Sequence, residues 1–575
     1  MTSDFRPYPF EFRHHPPPAA APDDTQVHPV AIVGGGIAGL TLALGLAVQG
    51  VRSVVIEADE TVCVGSRAIC FSRRSLEIFE RLGVLEPILG KGLAWTGGRS
   101  FYRNTEVLHF QMPHDRLQKL PPMINLQQYH VEAFLLQALD AHADRVDLRW
   151  QSRVRTVDAR DDGVVLEVEQ PGRSDYTLHA DWVVACDGGR STLREALGLR
   201  LEGTAYEGRY VVADIALETD LPTERLAWFD PPSNPGSTIL MHRQPDGIWR
   251  IDYQLRDDED ADAAVRPEQV LPRVEAHLRM IGQTGRWAPI WITLYRANAL
   301  TLPRYRHGRV LFAGDAAHLV PIFGVRGANS TIDDADNLAW KLALVVGGRA
   351  DPALLDTYSA ERVQAARENL AYGSKSTQFM APPDFAFRTM REAVLELALE
   401  TPAIRSLINP RQSSPVRYAD SALNATPADD DGFAAGPGAG SVLPTVPVRW
   451  LDAAGQGRPG HLTDALEAGA FTLLVFADGG LVAPAIAALC DRWAGLGIRL
   501  RIVGVRPGDT PTAGAHASAT DSTGEAAALY GASAGALYAV RPDGHVLGRW
   551  READAGAIDS ALRACLAGGR HEDDR

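Results

Sequence analysis

The stretch from Val30 to Ala58, VAIVGGGIAGLTLALGLAVQGVRSVVIEA, constrains the fold more than any other part of the chain. An unbroken apolar run of strand type ends in Gly34, and Gly34-x-Gly36-x-x-Gly39 opens a segment whose apolar residues recur with helical spacing. A second apolar run, RSVVIE, closes on Glu57, 21 residues beyond Gly36. Strand, helix and strand in this order make a βαβ unit, and so a parallel sheet with helices on its faces. Gly34 permits the tight turn, Gly36 lets backbone N–H groups approach a pyrophosphate, and Gly39 lets helix and strand pack closely. The helix N-terminus offers partial positive charge to phosphates, and Glu57 is placed to accept hydrogen bonds from a ribose. Glycines alone often mark plain turns; their register with both strands and the acid points to a dinucleotide.

Two further segments repeat the strand–turn–helix pattern. ADWVVACDGGRSTLREALGL puts Asp187, Gly188, Ser191 and Arg194 at a helix start, and LFAGDAAHLVPIFGVRGAN runs from an apolar strand into Gly314-Asp315 and then a loop with little bulk. An acid at the end of the second strand fits NAD and FAD equally. Three turns of this kind in one folding unit imply one long ligand touched at several places, and FAD is the longer of the two.

The rest of the composition narrows the partners. The 57 basic and 72 acidic residues leave a net charge of −15, which disfavours nucleic acid and anionic membrane surfaces. At 575 residues there is room for several domains. The five cysteines are scattered without CxxC or Cys/His spacing, so no disulfide framework or zinc site is expected and the chain reads as cytoplasmic. No apolar run reaches the 18–20 residues or so of a membrane span. Residues 1–28, rich in proline with early acids and no apolar core, read as a disordered leader rather than a signal peptide.

Farther along, STILMHRQPDGIWRIDYQL reads as a hairpin around Pro-Asp-Gly, with Trp249, Ile251, Tyr253 and Leu255 on one face and Arg250, Asp252 and Gln254 on the other. The Ala/Gly/Pro-rich stretch 420–445 reads as a linker, and GPGAG at 436–440, with no strand before it, as flexible glycine rather than a second fingerprint. Beyond it FTLLVF, LRIVGV and ALYAVRPDGHVLGRW are strands, the last folded at Asp543-Gly544, with VAPAIAALCDRWAGLG a helix between the first two.

The dinucleotide fingerprint, the Asp187-Gly188 segment and the Gly314-Asp315 segment, in this order across residues 29–385, resemble the class A flavoprotein aromatic hydroxylases, such as the 4-hydroxybenzoate and 3-(3-hydroxyphenyl)propionate hydroxylases. The resemblance implies an α/β fold: a Rossmann-like FAD domain (29–200 and 300–385), an inserted substrate-binding β-sheet domain (201–299 with part of 90–125), a helical segment and linker (386–430) and a thioredoxin-like domain (431–570). It implies FAD as cofactor, NADH or NADPH as transient co-substrate, O2, and a small aromatic substrate hydroxylated by a flavin C4a-hydroperoxide. Self-association is left open.

Residue by residue, the family pattern assigns cofactor contacts to Gly34, Gly36, Gly39, Glu57, Arg67, Gln128, Val154, Asp187 and Asp315, and to the backbone at Gly327, Ala328 and Asn329, which would face N1 and O2 of the flavin. Pro321 falls beside the flavin's reactive edge and Arg326 adds a positive charge nearby or is a solvated surface arginine. Tyr253 is a candidate substrate contact or a core aromatic. Arg243, Arg250 and Arg296 are candidate partners for a substrate carboxylate, and His318 is read as structural. The loop departs from the common glycine-rich form at Phe323, Val325 and Thr331. Cys490 stands alone, so the last domain is expected to be structural or to contact another subunit. Competing readings are another flavin monooxygenation, such as epoxidation or Baeyer–Villiger insertion, and a flavin-binding sensor; the WxWxIP motif of flavin halogenases is absent.

Overall fold

The computed structural model describes residues 5–18, 26–256, 258–408, 412–425, 427, 430–477 and 479–569. Its first sheet forms where the sequence is most continuously apolar. Strand Val27–Val33 runs parallel to Ser53–Ile56 on one side and to Tyr176–Ala185 on the other, and Tyr176–Ala185 is followed by Val310–Phe312, also parallel. Runs such as VAIV and VVA are buried on both faces because helices cover both sides of the sheet. Helix Ile37–Ala47 packs on helix Gly327–Val346, so closely that a Cβ at Gly45 would lie 2.9 Å from that of Ala339.

A second sheet of eight strands is built from Gly97–Tyr102 and Thr105–Gln111, the long strands Glu202–Leu217 and Trp287–Thr301, the strands Arg225–Phe229, Thr238–Arg243 and Ile248–Gln254, and His318–Leu319. The segment near residue 100 is therefore part of this sheet. Asp246 and Gly247 turn the hairpin in the left-handed region, where Asp and Gly are tolerated. The face bearing Trp249, Ile251 and Tyr253 packs on Val270, Val274 and Leu278 of helix Pro267–Met280.

Residues 447–550 form a third sheet of seven strands flanked by helices Pro484–Gly495 and Ala555–Leu566. It is not a loosely tethered unit, because one apolar core runs from Val30 through Trp340 to Phe471, Trp493 and Ile558. The expected flexible linker is corrected by the same packing. At Gly436 and Gly440, both with positive φ, an added Cβ would sit 2.2 Å from Tyr530 O and 2.1 Å from Tyr418 O. These glycines are required for close approach, not flexibility.

Residues 5–18 correct the expectation of a disordered leader. Arg6 N–H donates to Pro289 O, the Tyr8 hydroxyl to Asp214, and His15 N–H to Glu60 O, while Phe10 and Phe12 pack on Tyr129 and His15 stacks on Trp150 at 4.3 Å. Four aromatic rings in a proline-rich segment are sufficient to dock it, and composition alone did not reveal that. Residues 1–4 and 19–25 lie outside the described residues.

Beneath helix Gly327–Val346 the Arg541–Gly544 turn enters the first domain. Arg541 pairs with Glu361 at 2.6 Å and with Asp543, and Glu361 also takes Lys341 at 2.7 Å, all essentially without solvent exposure. Burial would raise the Glu361 carboxyl, but Arg541 and Lys341 together hold it well below its ordinary value of 4.5. A depressed carboxyl contributes stability that is complete above that ordinary value and is lost as acid lowers the pH toward the folded value. Arg541→Met leaves Glu361 and Asp543 short of a cation and should cost about 3–5 kcal/mol. Urea unfolding would show it as a lowered midpoint, and the wild-type midpoint should itself fall below about pH 4.5; an unchanged midpoint in Arg541→Met would refute the assignment.

Candidate cofactor and substrate site

Three turns emerge side by side from neighbouring parallel strands. Val33 registers with Ala185, and Ala185 with Phe312, so Gly34, Asp187 and Asp315 all follow strand ends at one edge of the sheet. Open parallel sheets bind ligands at this carboxyl edge.

At the first turn, sheet packing dictates two glycines. A Cβ on Gly34 (φ +107°) would fall 2.3 Å from Cys186 O, and one on Gly39 only 1.9 Å from Gly34 O. Gly36 differs, since its nearest neighbour would be a Glu132 carboxylate oxygen at 3.7 Å. Protein packing does not demand Gly36, whereas a pyrophosphate drawn close to the backbone does. Helix Ile37–Ala47 carries no side-chain cap and no acid in its first turn, and its backbone bonding begins at Leu40 N–H to Gly36 O, so its leading N–H groups suit an anion. Glu57 is fixed by N–H bonds from Gly35 and Asp59, and burial raises its carboxyl. Its own carbonyl takes the N–H of Ser152, two residues before buried Val154, which places Val154 at the Glu57 end of the groove.

At the second turn, one Asp187 oxygen accepts Leu193 N–H at 3.2 Å while the other is buried without a partner. Burial raises this carboxyl too. Ser191 caps the short helix Thr192–Ala196, and Arg194 donates to Gly189 O and Ala316 O, tying the second turn to the third.

At the third turn, Gly314 N–H donates to Asp334, which also receives His318 at 2.7 Å and Arg362 at 2.6 Å. His318 is thus a strut of the turn, as its structural reading anticipated. Asp315 itself has no hydrogen-bond partner among the described residues; its carboxylate reaches open surface between dense walls, and that crowding raises it above the usual carboxylate range despite the nearby His318 and Arg67. Arg67 is exposed, makes no hydrogen bond through its guanidinium among the described residues, and offsets only part of the rise that burial gives the Glu132 and Asp315 carboxyls. It therefore stands between the Gly36 and Asp315 ends of one groove.

Around this groove the roles divide. Gln128 accepts Ala68 N–H and donates to Glu132, leaving one N–H and one lone pair for anything else. The N–H groups of Gly327, Ala328 and Asn329 precede the first helical bond, Ser330 N–H to Arg326 O. The Asn329 side chain, which the sequence reading passed over, accepts Ser72 N–H and the Ser75 hydroxyl and donates to Cys70 O and Val325 O. Before this helix Val325 sits at φ +58°, a left-handed conformation that costs a β-branched residue about 1–3 kcal/mol. Pro321 is buried against helix Leu354–Met380 beside Gly373.

Several expectations change. Tyr253 lies on the sheet face packed on helix Pro267–Met280, with Arg273 over its ring at 5.5 Å, so it is core and not a substrate contact. Alternation correctly grouped the residues but could not say which face meets the cofactor domain; the polar face does. Arg250 is consumed by Asp252 at 2.8 Å and by the carbonyls of Ser66 and Arg67, Arg243 donates to Leu221 O, and Arg296 is exposed. Arg326 is buried, bonded to Asn369 and stacked over Tyr372, so it is neither a solvated arginine nor a charge turned to the groove. Sequence reasoning missed Arg225 and His242 on the polar face, although a lone Arg opening the apolar strand RLAWF was a signal.

The open carboxylate of Asp315, the vacant space over Gly36 and two uncapped helix starts fit an extended flavin dinucleotide, and residues 27–372 match the family described as FAD binding domain. The chain belongs to this FAD-binding family. The chain is 34% identical over 395 residues, 68% of this chain and 69% of the relative, to the 3-(3-hydroxy-phenyl)propionate/3-hydroxycinnamic acid hydroxylase of Mycolicibacterium smegmatis. It is 29% identical over 567 residues, 96% and 94% of the two chains, to the 6-methylpretetramide 4-monooxygenase of Streptomyces rimosus. Among solved structures it resembles BexE, with a TM-score of 0.68 and 27% identity over 94% of this chain and 99% of that one. It shares the fold of the flavin-dependent monooxygenase PieE, solved with FAD and substrate, at a TM-score of 0.75 and 23% identity over 95% and 99%. The chain is a flavin-dependent aromatic hydroxylase with FAD as its cofactor. Among the described residues no helix is long and apolar enough to cross a membrane.

Asp315→Ala should weaken FAD binding roughly 10–100-fold, the worth of one or two hydrogen bonds to a charged group. Gly36→Val should do the same by filling the space above the turn. Flavin absorbance per chain after gel filtration reads both, and a full complement of FAD in Asp315→Ala would contradict the placement of that acid.

Proposed function

We propose that this hydroxylase uses NADH or NADPH and O2 to add one oxygen atom to a phenolic ring held between the 320–325 loop and the polar face of the second sheet. The observation that carries this reading is the open Asp315 carboxylate facing Arg67 and the uncapped start of helix Gly327–Val346. When bound, FAD supplies hydride acceptance and oxygen activation. Gly36 and the first N–H groups of helix Ile37–Ala47 hold its phosphates, with Arg67 as a charge no lysine would replace in bidentate geometry. Asp315 orients its polyol chain. The N–H groups of Gly327, Ala328 and Asn329 stabilise negative charge on the ring edge they face, as an oxyanion hole would.

The chain's other task is to keep water away. Phe323 meets Tyr210 edge-on at 5.1 Å, and these pack with Phe229, Leu240 and Met380, while the Tyr295 hydroxyl donates to Val320 O and fixes the loop to the sheet. An apolar wall here protects an oxygen-reactive centre from wasteful hydrolysis. The described residues contain one dinucleotide fingerprint, so the nicotinamide is read as a transient visitor. The relative from Mycolicibacterium smegmatis is by its name a hydroxylase of a hydroxyphenylpropionate, which supports a phenolic substrate. Five cysteines, none in a disulfide, agree with a reducing cytoplasmic setting.

Buried Cys490, its thiol pushed up to about 12 by burial, fits a structural side chain better than a redox relay. FAD-loaded protein should oxidise NADH or NADPH several-fold faster with at least one hydroxybenzoate, hydroxyphenylpropionate, hydroxypyridine or 1-naphthol, giving a product one oxygen heavier. Cys490→Ser should match the wild type. Stimulation by non-phenolic ketones or alkenes alone would favour another oxygenation, and retained FAD without any stimulation would favour a binding protein.

A further inference from the structure

On the polar face of the second sheet one cross-strand row holds four polar side chains. Asp214 registers with Arg250 and Arg250 with His242; Arg225 follows, one position beyond the Leu226–Met241 pair. The first two are satisfied. Asp214 receives Ser66 and Tyr8, and Arg250 is held by Asp252 and two carbonyls. The other two are not. Arg225 is 5% exposed, and its recorded contact is Met380 Sδ at 3.9 Å, with no carboxylate or carbonyl bonded to it among the described residues. His242 is 7% exposed and both of its ring nitrogens are buried without a partner.

An isolated guanidinium removed from water is strongly unfavourable unless a counter-charge accompanies it. Burial alone draws Arg225 down to about 10, still fully charged near neutrality, while burial with Arg225 and Arg250 beside it keeps His242 neutral. The pair thus presents a fixed cation next to an imidazole with one donor and one acceptor. The placement is directed. Arg250, two strands from Arg225 and so about 10 Å away, bonds the Ser66 and Arg67 carbonyls of the cofactor loop. That span is two inter-strand steps, with His242 on the strand between Arg225 and Arg250. Trp95, edge-on to His242 at 6.4 Å, and Phe110 and Met123 of the same apolar cluster close the side.

Building on the hydroxylase reading, we infer that Arg225 and His242 form the anion-recognising end of the aromatic site, where Arg225 receives an oxyanion of the substrate, phenolate or carboxylate, and His242 hydrogen-bonds beside it. A phenolate held this way has the more nucleophilic ring, and the guanidinium stabilises it without taking up a proton. A carboxylate held this way fixes which ring carbon faces the cofactor loop.

Calorimetric titration of FAD-loaded wild type, Arg225→Met and Arg225→Lys with 3-cresol, 3-phenylpropionate and 3-(3-hydroxyphenyl)propionate tests the assignment. Arg225→Met should bind the anionic ligand about 10–100-fold more weakly, the worth of a charge-assisted pair, with Arg225→Lys between. Its ligand-free Tm should hold or rise, because an unpaired buried charge has gone. Lost affinity for 3-phenylpropionate assigns the carboxylate, and lost affinity for 3-cresol assigns the phenolate. Unchanged affinity for all three, no binding by wild type, or a Tm that falls while binding persists would overturn the inference. Full FAD content in the variants keeps that failure separate from failure of the hydroxylase reading, which would show as wild type without FAD.

Discussion

Parallel pairing of three strands governs everything functional here. Because Val33, Ala185 and Phe312 lie in register, the turns after them open at one level, and residues from three distant parts of the chain come to line a single groove. The register itself follows from burial on both faces, since a slip would break the continuous apolar runs that helices cover above and below. The groove's chemistry is backbone chemistry for the most part. Carboxylates at Glu57, Asp187 and Asp315 are added where strands end, and helix starts supply the positive poles.

Asp334 is the point at which this edge is made rigid. It is unexposed, yet it gathers the Gly314 N–H, His318 and Arg362, and so joins the third turn to both long helices behind it. Burial would raise its carboxyl, but His318 and Arg362 more than compensate and hold it below the usual range. Asn329 performs a similar service at the head of the Gly327–Val346 helix, drawing together Cys70, Ser72, Ser75 and Val325. Strain at Val325 is tolerable because these bonds over-determine the loop. The third sheet adds to the same framework from behind, through Arg541 and Asp543 under that helix, so a region without an evident reactive group still bears on the helix whose start faces the groove.

The second sheet shows how a polar face can carry both structure and specificity. Its Arg250 and Asp214 anchor the Ser66–Arg67 loop, with the ordered N-terminal segment reaching in through Tyr8. Arg225 and His242, one step along the row, are left over from that network. A fold does not keep a lone buried cation for stability, and the apolar surroundings that make it unfavourable also make it discriminating toward an incoming anion.

Much was legible from one sequence because the relevant signals are local. Glycine spacing, an apolar run and an acid at its end are all read within about thirty residues, and each reports a backbone requirement that only certain residues meet. The hairpin at Asp246-Gly247 and four of the third sheet's seven strands, Ala470–Phe476, Arg499–Arg506, Leu537–Val540 and Val546–Trp550, were legible for the same reason, whereas Pro447–Leu451, Gly457–His461 and Ala517–Thr520 were not read. What the sequence could not hold is long-range choice. It gave the two faces of Ile248–Gln254 without saying which one meets the cofactor loop, so Tyr253 was offered to the site and Arg225 was overlooked. It marked Gly436 and Gly440 as loose when neighbours make them tight, and composition hid the docking of residues 5–18. Side-chain alternation and turn chemistry are properties of a segment, whereas facing, pairing and burial belong to the partners a segment meets, and those are fixed only when the chain closes on itself.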